Sequence, residues 1–280
     1  MSTRIDPALK QLDVELPASP TATLRLTELL AQEDTSVPEV AEVIEGDLAL
    51  ASAVVRTVNS AMFGILRRVE TVAEAVMYLG MREVAAITLE LGLRKSFPPS
   101  PTMTRLWDQA RLRGLLMGRT AVTLGLHAWR AQSAGLFAQS GQAVLCLHAP
   151  DAYPALLARE GGRVADLLAA ETAAFGVSHE VLGASLCRAW GLAAEVADFV
   201  HDRPLPPEHW AARPQPVRAM LALGAVADVL IAAEDSAPTR EAVQSLAGQV
   251  APAAGIDADD LAQAAWQHWE RVSTAAAAGD

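Results

Sequence analysis

The chain has 280 residues, of which 51% are hydrophobic and 20% charged, and its formal net charge is −11. That length suffices for one large domain or two intimate lobes, and the balance excludes a disordered chain, which would need fewer apolar residues and denser charge. The acidic average also opposes a phosphate-neutralising surface, so no direct nucleic-acid binding is expected.

Alanine and leucine outweigh β-branched and aromatic residues, which favours helix because Ala and Leu lose least on entering one. The composition therefore predicts an all-α protein. Local basic clusters, Arg67-Arg68 and Arg105, Arg111, Arg113 and Arg119, read as solvated helix faces. Cys146 and Cys187 sit in apolar surroundings with no Cys-x-x-Cys spacing, as buried free thiols do. No basic-then-apolar leader and no long apolar run is present, so a cytoplasmic protein without membrane contact is expected.

Met1 to Pro17 reads as a short helix or loop. Ser19-Pro20 places a capping hydroxyl before a proline at the first helical position, opening a helix to about Gln32 with Leu24, Leu26, Leu29 and Leu30 on one face. Ser36-Val37-Pro38-Glu39 is a capping box for a helix carrying Val40, Val43 and Ile44. Gly46-Asp47 breaks that helix, and a new one runs from Leu48 to Asn59. Thr71 to Glu74 forms a second capping box, leading to Gly80 as a left-handed stop. A helix from about Arg82 to Arg94 follows.

Phe97-Pro98-Pro99-Ser100-Pro101 forbids helix continuation and predicts a rigid linker between lobes 1–97 and 98–280. Two long helices are then predicted, Thr102 to Leu124 and Ala128 to Leu147, separated by Gly125. Further helices fit Pro150 to Leu157, Arg163 to Phe175, Ser178 to Trp190 and Ala193 to His201. The proline-rich stretch Arg203 to Pro216, with Trp210, suits an exposed interaction loop or a plain connector. Helices return at Val217 to Glu234, Arg240 to Val250 and Asp257 to Val272.

In this order and spacing, several segments resemble the HDOD family, the HD-related output domain of bacterial signalling proteins, over about Leu12 to Glu234. They include Leu16-Pro17, Ile44 to Leu50, Val58-Asn59-Ser60-Ala61-Met62-Phe63-Gly64 and Tyr78-Leu79-Gly80. Leu106-Trp107, Gly135-Leu136-Phe137, Phe175 to His179, Gly183 and Trp190-Gly191-Leu192 continue the match. The resemblance implies an N-terminal helical lobe packed on a degenerate HD-like bundle. It also implies a non-catalytic module, often working beside cyclic di-nucleotide signalling or two-component proteins.

An active HD phosphohydrolase needs a His, an adjacent His-Asp pair and a distant Asp to hold hard divalent metals. The resemblance places Gln109 at the first histidine, Ala138 and Gln139 at the pair, and Gln142 where catalytic relatives carry lysine; only Asp228 matches. One carboxylate cannot hold a metal alone, so neither metal nor cofactor is expected. His201-Asp202 is the sole literal His-Asp dipeptide, and its position at a helix end favours a dipole role.

Without a metal, a buried Asp228 must find a donor, and Gln139 or Gln109 could supply amide N–H groups. That would make the former pocket a polar network or a small-ligand cleft, with Arg105, Arg111 or Arg113 as phosphate contacts. Ser60 and Ser140 lack a Gly-x-Ser-x-Gly frame. Asn59 and Ser60 read as a turn, Asn59 tolerating the left-handed conformation, with an inter-lobe contact as the alternative. Gly64 and Gly80 read as structural turns, His179 as a packing or hydrogen-bonding residue after its cap Ser178, and Trp107 and Trp190 as core anchors. The chain is thus expected to be a non-enzymatic regulatory module with a signalling protein partner, or else a sensor of a small molecule.

Overall fold

A computed structural model of the chain describes residues 16–18, 20–30, 34–60, 63, 67–160, 163–232 and 238–277. Among the described residues every regular element is a helix, and no helix is long and apolar enough to cross a membrane. The protein divides into two compact units. One comprises Ala18–Ser96 and Gln267–Asp280; the other comprises Met1–Pro17 and Phe97–Trp266. The division falls at the proline-rich segment, but it assigns both chain ends differently from consecutive lobes 1–97 and 98–280.

The first unit contains α1 (Thr21–Leu30), α2 (Val37–Glu45), α3 (Leu48–Val58), α4 (Val72–Leu79) and α5 (Met81–Lys95). Val40, Ile44, Val54, Val58, Val72 and Val76 supply its core, each at helical spacing along its own element. Helix starts follow the capping residues. Ser36 donates both its backbone N–H and its hydroxyl to Glu39, and Asp47 accepts from Leu50 N–H at 3.1 Å. Thr71 Oγ1 accepts from Glu74 N–H, but the Glu74 carboxylate turns back to Glu70 N–H, so the second box is not reciprocal. Ser19 lies outside the described residues, as do Gln32 and Gly64; the Pro20 carbonyl accepts from Thr23 and Leu24, which puts Pro20 just before α1.

Asn59 differs from its sequence reading. Its φ is −77°, not left-handed, and its side chain instead imitates a strand partner. Nδ2 donates to the carbonyls of Val55 and Val69 at 2.9 and 2.8 Å, while Oδ1 accepts from Val69 N–H at 2.9 Å. Ser60 contributes backbone bonds to Thr57 and Phe63. Gly80 has φ +86° and ψ 156°, a glycine-favoured conformation more extended than a left-handed stop.

The second unit holds α6 (Pro101–Thr123), α7 (Ala128–Phe137), α8 (Ser140–His148), α9 (Ala152–Glu160), α10 (Val164–Phe175), α11 (His179–Ala189) and α12 (Ala194–Asp202). A 3-10 helix (Pro207–Ala212), α13 (Gln215–Ile231), α14 (Arg240–Ala254) and the start of α15 (Ala258–Ala277) complete it. Helix α6 packs along α7 and against α13, while α11 packs on α8 and α12. Trp190 is buried, edge-on to Phe137 with centroids 5.6 Å apart, and its Nε1 donates to the Pro17 carbonyl. Trp107 is buried beside Phe97.

The helix expected from Ala128 to Leu147 is in fact two. Gln139 leaves helical geometry at φ −115°, ψ 12°, and its carbonyl accepts from the amides of Gln142 and Ala143 as the cap of α8. Local propensity gives no reason for a break at Ala138-Gln139; tertiary packing does. A Cβ on Gly141 would stand 1.8 Å from the His179 carbonyl oxygen, so α8 must be angled to meet α11 backbone to backbone. Trp210 also departs from the sequence reading. It is buried, with Nε1 donating to the Leu205 carbonyl at 2.9 Å, while the rest of the stretch from 203 to 216 is exposed or half-buried.

Candidate functional site

Gln109 and Arg113 lie one turn apart on α6, and this i, i+4 spacing sets both on one face. Asp228 approaches from α13, Gln139 from the cap of α8, and Arg203 from the residue after α12. Arg113 Nε meets Asp228 Oδ1 at 2.6 Å, and Arg203 Nη2 meets Oδ2 at 2.7 Å. Arg113 Nη1 donates to Gln139 Oε1 at 3.1 Å, and Gln139 Nε2 donates to Gln109 Oε1 at 3.3 Å. Ala138 contributes its carbonyl, which accepts from Arg203 Nη1 at 2.9 Å. Gln109, Ala138, Gln139 and Asp228 therefore converge in one network.

The donors to Asp228 are two guanidiniums, not the amides of Gln139 or Gln109 anticipated from sequence. Burial works to raise the Asp228 pKa, but the charges of Arg113 and then Arg203, with their hydrogen bonds, outweigh it and bring it down to about 2. Arg113 is 4% exposed, and its burial lowers its own pKa. It acts as a counter-ion to Asp228, not as the solvent-facing phosphate contact envisaged for it. Arg203 carries no mark in the sequence, where the preceding His201-Asp202 pair is the more conspicuous feature. That pair is engaged elsewhere: Asp202 is buried, ion-paired with Arg213 at 2.8 Å and 2.9 Å from His201 Nδ1.

The resemblance to HD phosphohydrolases would imply a divalent metal at this place, and the residues do not fit one. Two amides and a methyl stand where imidazole and carboxylate would be needed, and the remaining carboxylate is neutralised by two arginines.

Beside the network opens a cavity of about 670 Å³. Its lining is polar at Arg105, Gln109, Gln139, Gln142, Arg203 and Asp228 and apolar at Leu106, Leu157, Val164 and Leu167. Arg111 is not among the lining residues. His179 also lines the cavity, and behind it lies a second buried network. Glu171, fully buried, accepts from the Tyr153 hydroxyl at 2.6 Å and from His179 N–H at 2.8 Å, and His179 Nδ1 stands 2.8 Å from it. Burial and the adjacent Glu171 push the Tyr153 pKa well up, keeping the hydroxyl a donor. Glu171, His179 and Glu180 bring possible ligand atoms within 4.8 Å of one another, yet Glu171 is already satisfied by Tyr153 and His179. The family resemblance and the place after Ser178 mark His179 in the sequence; Glu171, in an ordinary helical position eight residues earlier, gives no signal.

The HDOD domain family matches residues 16–203, more than half of the chain. An uncharacterized protein of Treponema pallidum is 26% identical over 202 residues, covering 70% of this chain; the chain spans 39% of that relative's length. Two solved structures are similar in fold. One, from Shewanella amazonensis and provisionally named a phosphohydrolase, has a TM-score of 0.74 at 21% identity and covers 98% of this chain and 99% of its own. The other, from Marinobacter aquaeolei and provisionally named a signal transduction protein, has a TM-score of 0.74 at 20% identity, covering 99% of this chain and 67% of its own.

Proposed function

Since this chain belongs to the HDOD family, we propose that it is a non-catalytic signalling module that works by contact with another protein, in regulation linked to cyclic di-GMP. One observation carries the non-catalytic part: Asp228 is held by Arg113 and Arg203 among Gln109, Ala138 and Gln139. Two guanidiniums fill the electrostatic role that a divalent cation plays beside a carboxylate, but they bind no water to activate. The signalling part draws on the family and on the name of the Marinobacter structure. The phosphohydrolase name belongs to a structure whose likeness at 21% identity concerns the fold.

Native mass spectrometry and metal analysis of the protein isolated from its own cells test this reading together. A metal-free protein carrying a signalling protein is the expected result. Stoichiometric iron, manganese or zinc, with turnover of a phosphodiester, overturns it.

A further inference from the structure

We propose that the cavity in the Phe97–Trp266 unit binds an organic phosphate of nucleotide size. Arg105 and Arg203 take the phosphate, Gln142 reads a polar edge of the body, and the Leu157 and Val164 wall takes its flat apolar face. The inference rests on the reading of this cleft as non-hydrolytic.

Charge is the first argument. The chain carries −11 overall, yet the lining sets Arg105 and Arg203 against the single carboxylate of Asp228, which Arg113 also neutralises. Arg105 is the surplus cation: it is exposed at the cavity and makes no ion pair with a described residue. A cationic cleft in an anionic protein concentrates anions locally against the average field. Guanidinium groups match phosphate in geometry as well as charge.

Gln142 supplies an independent argument. It is 7% exposed and lines the cavity, and its carboxamide makes no hydrogen bond with a described residue. Its carboxamide offers two N–H donors and one oxygen acceptor to a molecule in the cavity that it lines. The volume, about 670 Å³, falls within the range of about 300–1,000 Å³ typical of small-molecule sites. Apolar lining at Leu157, Val164 and Leu167 adds affinity that a bare ion cannot use, which selects an organic phosphate over inorganic phosphate.

Isothermal titration with a panel of nucleoside monophosphates, and separately with inorganic phosphate, tests the proposal on the full chain. Saturable binding of a nucleotide is expected, weakened about tenfold by Arg105→Ala through loss of one charge-assisted contact. Ala158→Trp, on an exposed residue of the lining, should abolish binding by filling the cavity without disturbing the core. Equal affinity for inorganic phosphate overturns the proposal, as does the absence of saturable binding to every member of the panel. The ligand recovered after incubation separates the two readings. Intact nucleotide supports both, whereas nucleotide bound and then dephosphorylated supports the binding site and overturns the non-catalytic function.

Discussion

Arg113 and Asp228, 115 residues apart in the chain, pair Nε to Oδ1 while the arginine is 4% exposed. A guanidinium so placed depends on its carboxylate. Asp228→Asn leaves that charge buried, and breaking such a pair costs about 3–5 kcal/mol. Because Asp228 itself is 36% exposed and solvent screens it, a loss near about 3 kcal/mol is expected in urea unfolding. Arg203→Lys should lose less, since Arg203 is more exposed than Arg113.

The same carboxylate gives a pH signature. Its folded pKa is about 2, below an unfolded value of about 3.9, so the stabilisation is complete above about pH 4 and is lost as pH falls toward 2. The stability difference between the wild type and Asp228→Asn should be constant between about pH 5 and 7 and should shrink below about pH 4. A difference that grew on acidification would contradict this assignment.

Two glycines should respond oppositely to alanine. Gly141→Ala meets backbone at α11 and should lose at least about 3 kcal/mol, the upper part of the range for overpacking. Gly248→Ala, on the exposed side of α14 with nothing near its Cβ, should gain about 0.5–1 kcal/mol through helix propensity. Thermal melts of the two variants side by side distinguish them.

Asn59→Ala removes three hydrogen bonds and leaves the backbone of buried Val69 without its partner. A loss of about 2 kcal/mol is expected, with hydrogen exchange at the Val69 amide accelerating more than at neighbouring helical amides. If Val69 kept its protection, the clamp would not be what orders this turn.

Both thiols should be unreactive in the folded protein. Cys146 is pushed up to about 11 by burial, and burial also pushes Cys187 upward. Iodoacetamide at neutral pH should label neither without denaturant and both in it, because the thiolate is the reactive species.

Helical periodicity and capping chemistry made most elements legible in the sequence, since both are local. The Ser36 box, the Asp47 cap and the buried faces of α2 to α4 needed nothing from distant residues. What escaped was long-range. Nothing near Gln139 announces that α7 and α8 separate there, because the cause is the contact of Gly141 with His179. Likewise Gln109, Ala138, Gln139 and Asp228 were singled out through family resemblance, while Arg203 and Glu171, which hold Asp228 and His179 in place, carry no local mark. For Arg203 to Pro216 the sequence left an exposed loop and a plain connector open, and the burial of Trp210 was not legible in its proline-rich setting.

The meeting of Gly141 with the His179 carbonyl also governs how the cleft could breathe. Gln142 and His179 both line the cavity from α8 and α11, and at Gly141 these helices meet main chain to main chain, with no room for a side chain at that point. That half of the cleft behaves as an anvil. Any change in the width of the cleft must therefore come from its other lining elements, among them α9 and α10 with Leu157, Ala158 and Val164.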